Sequence, residues 1–202
     1  MKKLLVLLIA GLALTGCVSK KTYVDPSFGK ASYSDVKSVS KKYNIKIIVE
    51  FQRNGKVIEA VNKTVMHHVE KTLRATGIIN PLSKDSKISI KVIVNNIADI
   101  GRAMAKGFGT GLTFGAIGTT VTDYYDVIII YTNENATTIT KNYKHALHTT
   151  IGNAKAPVVD VLPTTSANAF ETVIEEVLLN FITEMQLNGQ LTLAYLKSIK
   201  NS

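Results

Sequence analysis

Only one cysteine occurs in the chain, at position 17, so no intrachain disulfide can form. Tryptophan is absent, and tyrosine outnumbers phenylalanine, eight to six. No HExxH, CxxC or carboxylate-rich loop is present, which removes the usual metal-site patterns. No GxSxG supports a nucleophilic serine. No zinc-finger, RNA-recognition or helix-turn-helix signature accompanies the basic composition, which argues against nucleic acid as a partner. No repeat of solenoid period occurs. The longest apolar run near the start, Leu4 to Leu14, is too short to span a bilayer, which takes about 20 apolar residues.

What is present begins with that run. Residues 1–16 read MKKLLVLLIAGLALTG, with Lys2-Lys3 ahead of the apolar stretch, the form of a secretory leader. Leu14-Thr15-Gly16-Cys17 follows and resembles the lipobox of bacterial lipoproteins. The resemblance implies cleavage before Cys17, lipid on its thiol, and an anchor of two or three acyl chains. Such an anchor holds firmly where one chain would not. Val18 and Ser19 after the cysteine, rather than Asp, imply sorting to the outer membrane, facing the periplasm. The cell surface and the outer leaflet of the inner membrane are the alternatives. Loss of Lys2 and Lys3 with the leader leaves 22 cations against 15 acids, a net charge of +7.

Three segments are expected: a leader over 1–16, a lipidated N-terminus and tether over 17–44, and one domain over 45–202. The tether is rich in Ser and Lys, broken at Asp25-Pro26 and Gly29 and mostly extended. Tyr23, Phe28 and Tyr33 are candidates for pinning it to the domain. The remaining 150 or so residues suffice for a proper core.

Within the domain, Ile45 to Phe51 reads as a strand, and Asn54-Gly55 as a turn. Val61, Val65, Val69 and Leu73 recur at helical spacing and predict a helix over 57–76, closed by Gly77. Pro81 and the following SKDSK read as a loop. Lys87 to Ile97 alternates as a strand. Asp126 to Thr132 is apolar on both faces and reads as a central strand. Thr137 to Thr150 is its more polar hairpin partner, expected at an edge. Asn168 with Glu171 resembles a capping box for a helix over 168–187, whose stripe of Phe170, Ile174, Val177, Phe181 and Met185 is core. A short helical tail is expected over 191–199. The order β-α-β-insert-β-β-α predicts an α+β two-layer sandwich, a four-stranded sheet with two helices on one face.

The insert, residues 101–120, holds six of the 13 glycines. Its spacing lacks GxGxxG and a Gly-Lys-Ser/Thr ending, so it does not cradle phosphate. Gly107, Gly111 and Gly115 are four apart and would line one side of a helix. With Phe108 and Phe114 they form a candidate surface for a protein partner, for a second copy or for a lipid leaflet. A tight loop folded against the domain suits the glycines equally. A lipobox with a glycine-rich apolar insert between strands resembles the conjugative-plasmid surface-exclusion lipoproteins, with a shorter insert here. The strand and helix order is similar to that of lipopolysaccharide-assembly lipoproteins.

Catalytic groups are sparse. His67 and His68 are neighbours on a helix and point about 100° apart; His145 and His148 face opposite sides of a strand. Glu175-Glu176 reads as a polar helix face. Asp123, Tyr124, Tyr125 and Asp126 close the insert and offer polar groups for binding. The sequence therefore predicts a non-catalytic envelope protein without metal or cofactor, acting through a protein partner or self-association. The net positive charge supports a second possibility, a binder or carrier of an anionic envelope component such as lipopolysaccharide.

Overall fold

The computed structural model describes residues 19–29, 31–82, 86–98 and 118–191. Cys17, the leader, the glycine-rich stretch with Gly107, Phe108, Gly111, Phe114 and Gly115, and the expected tail helix beyond Leu191 lie outside the described residues. The described elements are β1 (Lys20–Val24), a 3-10 turn (Tyr33–Asp35), β2 (Tyr43–Arg53), β3 (Lys56–Val57), α1 (Glu59–Ala75), β4 (Ile79–Leu82), β5 (Ser89–Ala98), β6 (Thr119–Thr132), β7 (Thr138–Ile151) and α2 (Ser166–Leu187). The class is α+β, but the sheet has seven strands, not four.

The sheet runs β1-β7-β6-β5-β2, and the far edge of β2 is shared by β3 at one end and β4 at the other. β2 is parallel to β5 and β4; the remaining pairings are antiparallel. Asn54 and Gly55 both take positive φ, 51° and 77°, as a two-residue hairpin turn matching strand twist requires. Gly77, at φ 75°, closes α1 as its C′ residue, and its amide bonds the Arg74 carbonyl. Here the local chemistry was sufficient to place the turn and the helix end.

Four expectations change. Residues 20–24, expected as tether, form β1 against β7; Thr22 and Tyr23 are buried there. The Thr22 hydroxyl meets those of Thr149 and Ser166 at 3.2 and 2.9 Å. Strand β7 is thus an interior strand rather than an edge. Pro81, expected in a loop, lies inside β4 (Ile79–Leu82). Pro81 is tolerated because β4 pairs on one side only, with β2, and an edge strand can lack a donor. Strand β6 starts at Thr119, seven residues before the expected Asp126, because TTVTDYY is itself composed largely of strand-favouring residues.

Both helices cover one face of the sheet. Ile45, Ile47, Phe51, Ile90, Val92, Val94, Val127, Ile129 and Leu147 point to Val65, Val69 and Leu73 of α1 and to Val173, Ile174, Val177, Phe181 and Met185 of α2 in one continuous core. The α2 cap differs from the expected box. Thr165 is the N-cap, and its hydroxyl accepts from the Asn168 amide at 3.2 Å. Thr165→Ala should therefore cost about 1 kcal/mol of stability in urea unfolding. Asn168→Ala, at an exposed position of the first turn, should cost less than about 0.5 kcal/mol. The reverse order would restore the Asn168 cap.

Candidate functional site

The face of the sheet opposite the helices carries side chains in cross-strand rows. Ile48, Lys91, Ile130 and Thr140 form one row; Glu50, Ile93, Ile128 and Asn142 form the next. A polar row of Gln52, Asn95, Asp126 and Lys144 follows, then Ile97, Tyr124 and Ala146. Ile48, Ile97 and Tyr124 are 38, 40 and 41% exposed. An antiparallel sheet with one solvated face usually alternates to polar residues there. This face instead sets Ile93 directly across from Ile128. The Glu50 carboxylate sits amid the isoleucines, held by Lys91 at 3.0 Å and by the Gln52 amide at 2.5 Å. Those two bonds keep its pKa below the ordinary carboxylate value.

Two cavities meet at Tyr125, where the Asp123–Asp126 run drew attention in the sequence. One, of about 490 Å³, is lined by Phe28, Ile97, Tyr124, Tyr125, Asp126, Lys144 and His145. It is mostly apolar in character, and the buried Oδ1 of Asp126 makes no hydrogen bond. The other, of about 240 Å³, lies between Phe51, Arg53, Val61, Asn96, Asp123, Tyr125 and Phe170. Asn96 donates to Asp123 Oδ1 at 3.3 Å. Burial, helped by the Asp123 charge, pushes the Tyr125 phenol well above its usual pKa and keeps it a neutral donor. These groups can orient a polar end and bury an apolar body. They do not assemble a nucleophile with its base.

The histidines have structural partners. His145 is 1% exposed. Its Nδ1 accepts from the Ala146 amide at 2.9 Å, so its Nε2 carries the proton and donates to Glu176 Oε2 at 2.6 Å. The Phe28 ring lies 5.5 Å from it, centroid to centroid. His148 points to the other face, as strand alternation requires. It meets Asp25 Oδ2 at 3.1 Å and the Thr122 hydroxyl at 3.0 Å. His67 and His68 sit on α1, ring centroids 5.8 Å apart, with His68 Nδ1 3.7 Å from Glu171. Among the described residues no group of three His, Cys, Asp or Glu could hold a metal ion.

The acids of α2 are tertiary partners rather than a solvated polar face, a correction for Glu175 and Glu176. Glu175 accepts from the Tyr33 phenol at 2.9 Å; burial and this bond push Tyr33 up to about 12. Glu171 accepts from Lys71, and Glu184 from Lys141 and Tyr143. The aromatic and basic partners lie on other elements, so no window along α2 reveals them.

The basic side chains are dispersed. Lys71, Lys91 and Lys141 are ion-paired. Lys41, Lys42 and Lys87 ring a recess of about 330 Å³ at the end of the sheet where β2 and β5 begin, beside Glu134.

No family model matches the chain, and no curated protein does. Among solved structures it is similar to a PelC dodecamer from Paraburkholderia phytofirmans, at TM-score 0.30 and 11% identity over 80% of this chain and 95% of that one. It is also similar to a neuraminyllactose-binding hemagglutinin homolog from Helicobacter pylori, at TM-score 0.38 and 11% identity over 80% and 89%. At such scores neither likeness bears on fold or function.

The carboxylates predict an acid limb of stability. Hydrogen bonds from Lys71 hold Glu171 below its ordinary pKa of 4.5, and those from Lys141 and Tyr143 do the same for Glu184. A depressed folded-state pKa contributes stability that is present above the unfolded value and is lost as pH falls through the folded one. The melting temperature should therefore drop as pH falls from about 5 to about 3, and Glu184→Gln should show a shallower drop. An unchanged slope in the variant would remove Glu184 from this account.

Proposed function

We propose that the protein is a non-catalytic lipoprotein of the bacterial envelope. Acyl chains on Cys17 hold it at the outer membrane, and it acts by docking a protein partner or a second copy of itself. The observation that carries this reading is the isoleucine-rich face of the sheet on the side away from both helices. Exposed apolar side chains gathered on one face of a folded domain commonly mark an interaction surface, and Ile48, Ile97 and Tyr124 are exposed on this one. The docking face lies on well-formed strands, so the contact is rigid and preorganised. Among the described residues no helix is long and apolar enough to cross a membrane, and the lipid on Cys17 supplies the attachment in this reading.

A second reading is favoured by one feature. The recess ringed by Lys41, Lys42 and Lys87 suits an anionic group such as the phosphate of a lipopolysaccharide or phospholipid. Triple replacement of these lysines by Gln should abolish salt-sensitive retention on lipopolysaccharide if this reading holds; retention equal to wild type removes it.

Two variants test the principal reading. Cys17→Ala should move the protein from the membrane to the soluble fraction. Ile48→Lys and Ile97→Lys, both at half-exposed positions, should abolish crosslinked complexes in cells while leaving the melting temperature within a few degrees of wild type. Crosslinking that survives both isoleucine changes would rule out this face as the docking surface.

A further inference from the structure

We infer that the corner of the sheet where β1 begins lies flat on the bilayer, and that Val159 and Leu162 insert among the lipids while Lys20, Lys21 and Lys155 meet anionic headgroups. The inference rests on lipidation of Cys17. It departs from the tethered arrangement that the sequence suggests.

The first observation is how little chain separates the anchor from the fold. The Ser19 carbonyl accepts from the Gly152 amide at 2.8 Å, and Lys20 already pairs with Ile151. From Cys17 to Ser19 the chain spans about 7 Å at full extension. The headgroup layer on each side of the hydrocarbon core is of similar depth, about 5–8 Å. A domain whose first strand starts two or three residues after the acylated residue cannot stand off from the surface.

The second observation is what that corner presents. β6 and β7 continue pairing past the end of β5, over Thr119 to Thr122, so this corner projects. The chain leaves β7 at Ile151, beside Lys20, and turns through Gly152, Asn153 and Ala154. Gly118 holds that turn close. It has φ +73°, and a Cβ there would fall 2.2 Å from the Ala154 nitrogen. The loop then returns to β1, where Thr164 and Thr22 exchange two backbone hydrogen bonds at 2.8 and 3.1 Å. Both ends of the loop over 152–163 are therefore pinned beside the first residues of β1.

The loop carries the two most exposed large aliphatic side chains of the described residues, Leu162 at 88% and Val159 at 82%. Single surface apolar residues need no explanation, but two almost fully exposed ones beside an anchor fit interfacial insertion. Their setting is basic: Lys20, Lys21 and Lys155 are exposed, against one acid in the loop, Asp160. Basic side chains at the headgroup level are drawn to anionic lipid. A membrane surface thus satisfies the chain length, the apolar pair and the charge together.

The test uses the full lipidated protein in vesicles of phosphatidylethanolamine and phosphatidylglycerol. Cys17 is the sole cysteine and is blocked by its lipid, so Val159→Cys, Leu162→Cys and Asn135→Cys each offer one thiol for an environment-sensitive fluorophore. Asn135 lies in the β6–β7 turn at the other end of the sheet and serves as the aqueous control. Labels at 159 and 162 should shift to the blue and be quenched by lipids carrying a nitroxide several-fold more than the label at 135. Lys20→Glu with Lys155→Glu should reduce that quenching. A protein that floats with the vesicles while its 162 label behaves like the 135 label overturns the inference and leaves the anchor intact. A blue-shifted label that nitroxide lipids do not quench overturns it too, in favour of a protein contact. A protein that does not float with vesicles at all removes the anchor reading and this inference with it.

Discussion

The fourteen-residue antiparallel register between β6 and β7, from Thr119 against Ile151 to Thr132 against Thr138, is the constraint on which the remaining structure depends. It supplies β5 with one neighbour and β1 with another. It also decides which side chains meet α2. Lys141, Tyr143 and His145 fall on the helical face and find Glu184 and Glu176 there. A slip of one residue would turn all of them outward and bring Asn142 and Lys144 into the core. The turn that sets this register is well specified. Asn133 Oδ1 accepts from the amides of Asn135 and Thr137 at 3.0 and 2.9 Å, and Ala136 takes a positive φ of 58°.

The same alternation explains the outer face. With the helical face filled by Val127, Ile129 and Tyr131, strand β6 places Asp126, Ile128 and Ile130 outward. A run that is apolar at consecutive positions can satisfy only one layer of helices. The surplus isoleucines have no described helix above them, and that surplus is what the proposed docking role rests on. The cavities at Tyr125 lie where the outer rows turn polar, next to the start of β6. The side chains of the inferred membrane contact are at that same end of the sheet.

The N-terminal segment ties these features together. Residues 20–24 close the sheet edge, and the chain then crosses to α2. The Ala31 amide bonds Asn180, and Lys37 exchanges two bonds with Gln186 at 2.9 and 2.7 Å. The Gly29 backbone passes so near Glu176 that a Cβ would fall 2.2 Å from its carboxylate. What reads as a mostly extended tether with Tyr23, Phe28 and Tyr33 as candidate pins is a strap along the β1–β7 edge and α2, and all three side chains do pack on the domain. In the proposed lipid-anchored reading its consequence is mechanical, because the fold begins at β1, three residues after Cys17.

Sequence alone determined the features that depend on near neighbours. The stripe of Val65, Val69 and Leu73 made α1, and Gly77 ended it. Asn54-Gly55 made a turn, and the α2 stripe through Phe181 was core. These follow from periodicity and from backbone preferences within a few residues. The run of Asp123 to Asp126 was visible as polar groups closing the insert, but not the cavities they line. Tertiary structure alone decided the fates of β1 and β4, the partners of Glu175 and Glu176, and the start of the fold at Lys20. KKTYV has no pattern that outweighs its lysines until Thr149 and His148 lie beside it. INPL is a strand only because the first residues of β2 offer it an edge. Each is a pairing between residues distant in the chain, and the energy that orders such segments comes from partners no local window contains.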